Sequence, residues 1–125
     1  MEKFRKYLRT IRGSAAIEFA FVFPVFLLFL FGSIEFGYLF WADSSLKYGA
    51  TYGARYAFVN PTASSSAIQS FALSVVDVPN SVVSYTITKS ALSVDIDGSL
   101  TYTFLVVPLS PITLTVHEHQ VLALP

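Results

Sequence analysis

The chain has 125 residues, enough for one domain; 54% of them are hydrophobic, 16% aromatic and only 13% charged, and the mean hydropathy is positive. That composition excludes a disordered chain and fits an ordinary soluble domain poorly. With no cysteine and no HExxH or CxxC pattern, thiol chemistry and the commonest zinc chemistry drop out, and stability must come from packing.

The zero net charge hides an asymmetry. Residues 1–12 carry Lys3, Arg5, Lys6, Arg9 and Arg12 against Glu2, a net +4. The remainder carries Lys47, Arg55 and Lys89 against seven acids, a net −4. A basic start abutting an apolar run reads as a cytoplasmic flank, with the carboxyl end across the membrane. The same arrangement argues against nucleic acid as a partner, because the basic arm leads straight into a hydrophobic span.

From Phe19 to Ile34 no residue is charged, and the longer stretch from Ser14 to Trp41 has few polar interruptions. As a helix, its 28 residues extend about 42 Å, enough to cross a hydrocarbon core of about 30 Å. The segment is apolar all round, and a chain this short has no soluble core large enough to bury it. A secretory signal peptide is the competing reading. Its apolar core is usually 7–15 residues, and "WADSS" at 41–45 is a weak cleavage site.

Pro24 lies inside the run, where a membrane helix tolerates it, and a kink or loosened turn is expected between Ala20 and Pro24. Glu18 heads the run and calls for a partner, since an intramembrane acid is costly. Glu35 lies seventeen residues further on, near the outer end, with Tyr38 and Trp41 as interfacial anchors. Interfacial solvation is the preferred reading for that second acid.

Helical signals persist to Val59. Asp43 and Lys47 form an i,i+4 pair, and Tyr48, Tyr52 and Tyr56 make a stripe best read as core. Gly49, Gly53 and Ala57 form a line of small residues that lets another helix or a sheet approach closely. "NPT" at 60–62 stops the helix.

In "SSSAIQSFALSVVDVP", Ser66 and Gln69 have capping-box spacing, and Ile68, Phe71, Ala72, Val75 and Val76 share one face of a short amphipathic helix. The period then changes to two. "SVVSYTIT" and "ALSVDID" read as strands, Asp97-Gly98 as a hairpin turn into "SLTYTFLVV", and "ITLTVHEHQVLAL" as a final run. The predicted fold is α+β: a long amino-terminal transmembrane helix carrying a small domain of one short helix and a three- to four-stranded antiparallel sheet. That domain has a marginal core.

The residues also carry a family resemblance. "RGSAAIEFAFVFP" resembles the type III signal of type IV pilin-like proteins, with a short basic leader, a glycine and a glutamate at the fifth mature position. Together with "SIEFGYLF" and "YGARYA" it is similar to the TadE-like minor pilins, or pseudopilins, of the tight-adherence (Flp) pilus. The resemblance implies a leader at 1–13, a transmembrane and assembly helix at 14–59 and an outer domain at 60–125. Gly13 would precede the cut, Ser14 would become the amino terminus, and Glu18 would guide subunits during assembly. It further implies prepilin peptidase, other pilin subunits and the assembly machinery as partners, in the bacterial inner membrane, and a role in pilus assembly and surface adhesion.

Elementary chemistry agrees. Cleavage after Gly13 removes the cations and creates an α-ammonium about four residues from Glu18 on the same helical face. The two charges can neutralise each other within one subunit or between neighbours, and in the second case Glu18 sets the register. Glycine at the cut suits a peptidase that needs an extended peptide.

The alternative is a single-pass anchored binding protein or enzyme. Its acids, bases or nucleophiles would have to converge in a pocket, whereas Asp95 and Asp97 fall on the outward face of a strand and turn, where solvation is expected. His117 and His119 share a strand face, but two such residues without a third ligand read as a solvated face. No metal, cofactor or small-molecule substrate is expected.

Overall fold

A computed structural model describes residues 2–79 and 81–122, with side chains from Ala15 onward in the first helix. The element order is α1 (Glu2–Val59), α2 (Ser65–Ser74), β1 (Ser81–Lys89), β2 (Ser93–Tyr102) and β3 (Ile112–Val121). The three strands form one antiparallel sheet in the order β1-β2-β3. The class is α+β, with a long apolar helix, a short helix and three strands.

At 1.5 Å per residue the 58 residues of α1 extend about 87 Å, far longer than the domain it carries. Its lower half is bare: from Ala15 to Phe31 every side chain is exposed except half-buried Leu27. Its upper half is stitched into the fold by a buried line at Gly32, Glu35, Leu39, Ala42, Leu46, Gly49, Ala50, Gly53, Ala54 and Ala57. Those positions recur every three or four residues, as one helical face must, and most are small, which brings the backbone close to the sheet. Pro24 lies inside the continuous helix. Asn60 ends it, its backbone N–H and its side-chain amide both donating to the Tyr56 carbonyl, at 2.9 and 3.1 Å, just before Pro61.

Helix α2 lays Ile68 and Ala72 into the core, with Phe71 half-buried and stacked on Tyr56, ring centroids 4.6 Å apart. Its cap differs from the expected capping box. Ser64 is the N-cap and accepts from the Ala67 N–H at 3.2 Å; Ser66 exchanges a hydroxyl bond with Ser64, and Gln69 reaches away to donate to the Tyr85 carbonyl at 2.8 Å. The run of three serines permits a start two residues earlier, and the strand carbonyl gives Gln69 a buried partner that the cap would not.

The second correction concerns Asp97-Gly98, which is no hairpin turn. β2 runs straight through it, with Tyr85 opposite Gly98 on one side and Val116 on the other. The reversal lies between Lys89 and Ser93, where the Ser90 N–H donates to the Ser93 carbonyl at 2.8 Å and the Ser90 hydroxyl accepts from the Ser93 N–H at 3.0 Å. Gly98 stays extended because its missing side chain leaves room for its neighbours. A Cβ there would lie 2.6 Å from Tyr85 Cε1 and 2.7 Å from Val116 Cγ1.

The Tyr85 ring therefore crosses from Gly98 in the sheet to Gly49 in the helix, and its hydroxyl donates to the Leu46 carbonyl at 2.7 Å. Only 1% of it is exposed, and burial pushes its pKa up to about 12. Around it Leu46, Ile68, Val94, Ile96 and Leu100 are sealed from solvent; each such side chain contributes roughly 1.5–3 kcal/mol of transfer free energy. At the far end the Lys89 ammonium donates to the Ala63 carbonyl at 2.7 Å and ties β1 to the turn after α1.

Candidate functional site

The site begins with the bare helix. Its lower half exposes Phe19, Phe21, Val22, Phe23, Val25 and Phe26 and has no fold to pack against. Phe19 and Phe23 stack one turn apart, ring centroids 5.1 Å. Within 15–59 the helix is long and apolar enough to cross a membrane. Glu18 is exposed near its lower end. Gly13 and Ser14 lie within the helical backbone of α1, and the Ser14 side chain falls outside the described residues.

Ser33 and Ser44 return their hydroxyls to the carbonyls of Phe29 and Phe40, at 2.8 and 2.9 Å, as hydroxyls in apolar helices do. The expected Asp43–Lys47 pair forms at 2.7 Å. The tyrosine stripe is only partly core. Tyr48 is exposed and Tyr52 half-buried, their rings 4.2 Å apart, while Tyr56 packs on α2. A four-residue step overshoots one helical turn by about 40°, so the stripe winds out of the seam.

Gly49 and Gly53 mark where the domain meets α1 most closely. A Cβ on Gly49 would collide with Tyr85 Oη and Val76 Cγ2; one on Gly53 would lie 3.0 Å from Ala72 Cβ and 3.1 Å from Ile96 Cδ1. Ala57 is fully buried one turn above. These small residues face the chain's own domain.

Glu35 is where sequence reasoning missed most. It is not solvated at an interface: 6% of it is exposed, and it is the one buried charged residue among the described residues. Its carboxylate is held by three successive backbone N–H groups of the β2–β3 connection. Leu105 donates to Oε1, Val106 lies 3.3 Å from Oε1 and 3.2 Å from Oε2, and Val107 donates to Oε2 at 2.8 Å. Consecutive amides converging on one carboxylate form an anion nest, here filled by the chain itself. Val107 lies against the helix at Gly32, one turn below, where a Cβ would meet its Cγ2 at 3.5 Å, an ordinary contact. The acid and the loop together latch the sheet to α1.

Beside the latch an apolar groove of about 290 Å³ opens between Phe31, Ile34 and Tyr38 of α1 and Tyr102, Leu105 and Val106. Tyr38 packs on Trp41 and Tyr102, centroids 5.1 and 6.0 Å away, above the groove. Glu35 is the one acid in its lining, and Tyr38, Tyr102 and Thr103 supply the hydroxyls.

The polar side chains of the sheet gather on its outer face instead. His117 Nδ1 lies 2.7 Å from Asp97 and His119 Nδ1 2.6 Å from Asp95, each pair directly cross-strand. The hydrogen bond and charge of Asp97 raise the His117 pKa above its ordinary value. The two aspartates are thus paired as well as solvated. Among the described residues no group of three or more His, Asp or Glu could hold a metal ion.

Residues 13–55 match the family model of TadE-like proteins. That segment is similar to TadE-like proteins. The match spans about a third of the chain and takes in Glu18, Pro24, Glu35, Gly49 and Gly53, stopping short of the sheet. No curated protein and no solved structure matches. The similarity of that segment supports an association with the tight-adherence pilus system, and the apolar helix is compatible with a membrane anchor.

Proposed function

We propose that this protein is a TadE-like minor pilin or pseudopilin of the tight-adherence pilus. It sits in the inner membrane with residues 1–13 inside and the domain outside, and prepilin peptidase cleaves it between Gly13 and Ser14. The observation that carries this reading is the bare apolar helix with Glu18 five positions beyond Gly13, inside the TadE-like match.

The chemistry is that of a solvent exchange. A helix exposed over its whole lower circumference needs lipid before assembly, and neighbouring helices replace that lipid afterwards. Cleavage supplies the ammonium that neutralises Glu18, within one subunit or with a neighbour, and so fixes the height at which helices stack. Partners are the peptidase, other pilin subunits and the assembly machinery, and the role is assembly and adhesion.

The test is recovery of the protein from sheared surface filaments in cells with and without prepilin peptidase, alongside Glu18→Ala. The reading expects peptidase-dependent recovery, and cleavage without incorporation for Glu18→Ala. Glu18→Ala protein in normal filaments would remove the assembly role of Glu18; a domain that stays wholly in the membrane, peptidase or not, would favour a plain anchored binding protein.

A further inference from the structure

We infer that the β2–β3 connection is a second membrane-contacting element, seated in the outer leaflet beside the helix that spans it. The inference rests on the spanning orientation proposed above and adds a lipid-facing surface from a distant part of the chain.

Height gives the first argument. From Ala15 to Ile34 the helix rises about 30 Å, the thickness of a hydrocarbon core. Glu35, which grips the loop, therefore stands at the outer boundary of that core, with Trp41 about 9 Å higher at headgroup level. The loop is fastened at the edge of the lipid and not up in the aqueous domain.

Chemistry gives the second. No residue from Gly98 to Val116 is charged. At the loop tip Leu105 is 77% exposed, and Val106 and Leu109 are about half exposed. They continue the surface of Phe31, Ile34 and Phe36, which are also exposed on the helix alongside. A water-facing domain that presented this patch would carry an aggregation liability, whereas a leaflet covers it with no further partner.

The third argument is the backbone. Irregular chain is not found exposed to the hydrocarbon interior, and at the edge of the core, where this loop is fastened, each backbone group satisfied within the chain lowers the cost of contact with lipid. Here the N–H groups of Leu105, Val106 and Val107 donate to Glu35, the Leu109 N–H donates to the Val107 carbonyl at 2.7 Å, and Pro108 and Pro111 have no N–H to satisfy. The nest solves two problems together, because the carboxylate is compensated by three donors and the donors by the carboxylate. A lipid surface is thus the occupant that fits.

The chain has no cysteine, so single cysteines can carry an environment-sensitive fluorophore in the full-length protein reconstituted into phosphatidylcholine vesicles. Labels go on Leu105→Cys and Leu109→Cys, with Phe26→Cys for the span and Thr86→Cys for the outer face of the sheet. Quenching is read with aqueous iodide and with brominated lipids, the bromines near the headgroup for the loop labels and near the acyl-chain ends for position 26. The inference expects lipid quenching at 105, 109 and 26, and iodide quenching at 86. Iodide quenching at 105 and 109 with lipid quenching kept at 26 would overturn the inference and leave the span intact. Shielding of 105 and 109 from both quenchers would overturn it in favour of a second copy over the loop. Loss of lipid quenching at 26 would overturn the spanning orientation itself, and the inference with it.

Discussion

The carboxylate of Glu35 accepts the backbone N–H of Val107 at 2.8 Å across 72 residues of sequence, and this bond with its two neighbours joins the foot of the sheet to the long helix. Without that acceptor, three loop donors have no partner in an apolar setting. We expect hydrogen exchange at amides 105–107 to rise sharply in Glu35→Ala. In Glu35→Gln it should rise partway, because one oxygen remains while an NH₂ group now faces donors. Amides in the centre of β2 should be unaffected in both. Unchanged exchange at 105–107 in Glu35→Ala would mean that the loop is held by its side chains alone.

The glycines of α1 should separate by what surrounds them. Gly49→Ala forces a methyl onto Tyr85 and Val76, an overpacking cost of about 1–3 kcal/mol against a helix-propensity gain of about 1 kcal/mol. Gly53→Ala meets contacts of 3.0 and 3.1 Å and should be milder, and Gly37→Ala meets nothing within 4 Å and should be neutral or stabilising. Denaturant unfolding in a mild detergent should rank the three in that order; equal effects would deny the close approach at Gly49.

The exposed pair of His117 and Asp97 sets a pH dependence of known sign. Asp97 stabilises the protonated imidazole, so the His117 pKa is raised in the folded chain, with smaller contributions from Asp95 and Glu118 in the same direction. The associated stability is fully present below pH 6.5, the ordinary histidine value, and is lost as pH rises through the raised folded value. A proton NMR titration should place the His117 midpoint above the ordinary one, and Asp97→Asn should bring it down. Because the pair is exposed, its effect on unfolding should be small.

Much of the architecture could be read from periodicity. The apolar helix, its stop at Asn60-Pro61, the amphipathic face of α2 and the alternating strands follow from spacing, and the structure has them, except that the runs on either side of Asp97-Gly98 make one strand, which ends at Tyr102 and leaves 103–107 in the connection. The misplaced hairpin shows where spacing ends. Asp97-Gly98 carries a strong local turn signal, but Tyr85 and Val116 need the room above Gly98, and that tertiary demand prevails. Glu35 was misread for a related reason. Its partners are backbone amides, which any sequence supplies, so neither the identity of Leu105, Val106 and Val107 nor their distance along the chain announces the latch. A signal was present all the same: an uncharged run with two prolines between strands, too apolar for an ordinary surface loop, matched by an acid at the edge of an apolar helix.

The most direct test of the pilin-like route is the amino-terminal mass of the protein recovered from membranes, with and without prepilin peptidase. We expect a mature end at Ser14 that disappears when the peptidase is absent, giving Glu18 an ammonium four residues away. An intact Met1 in both preparations would contradict the route and leave a plain anchored protein, and an end near Ser44 would mean that the apolar helix is a cleaved signal peptide.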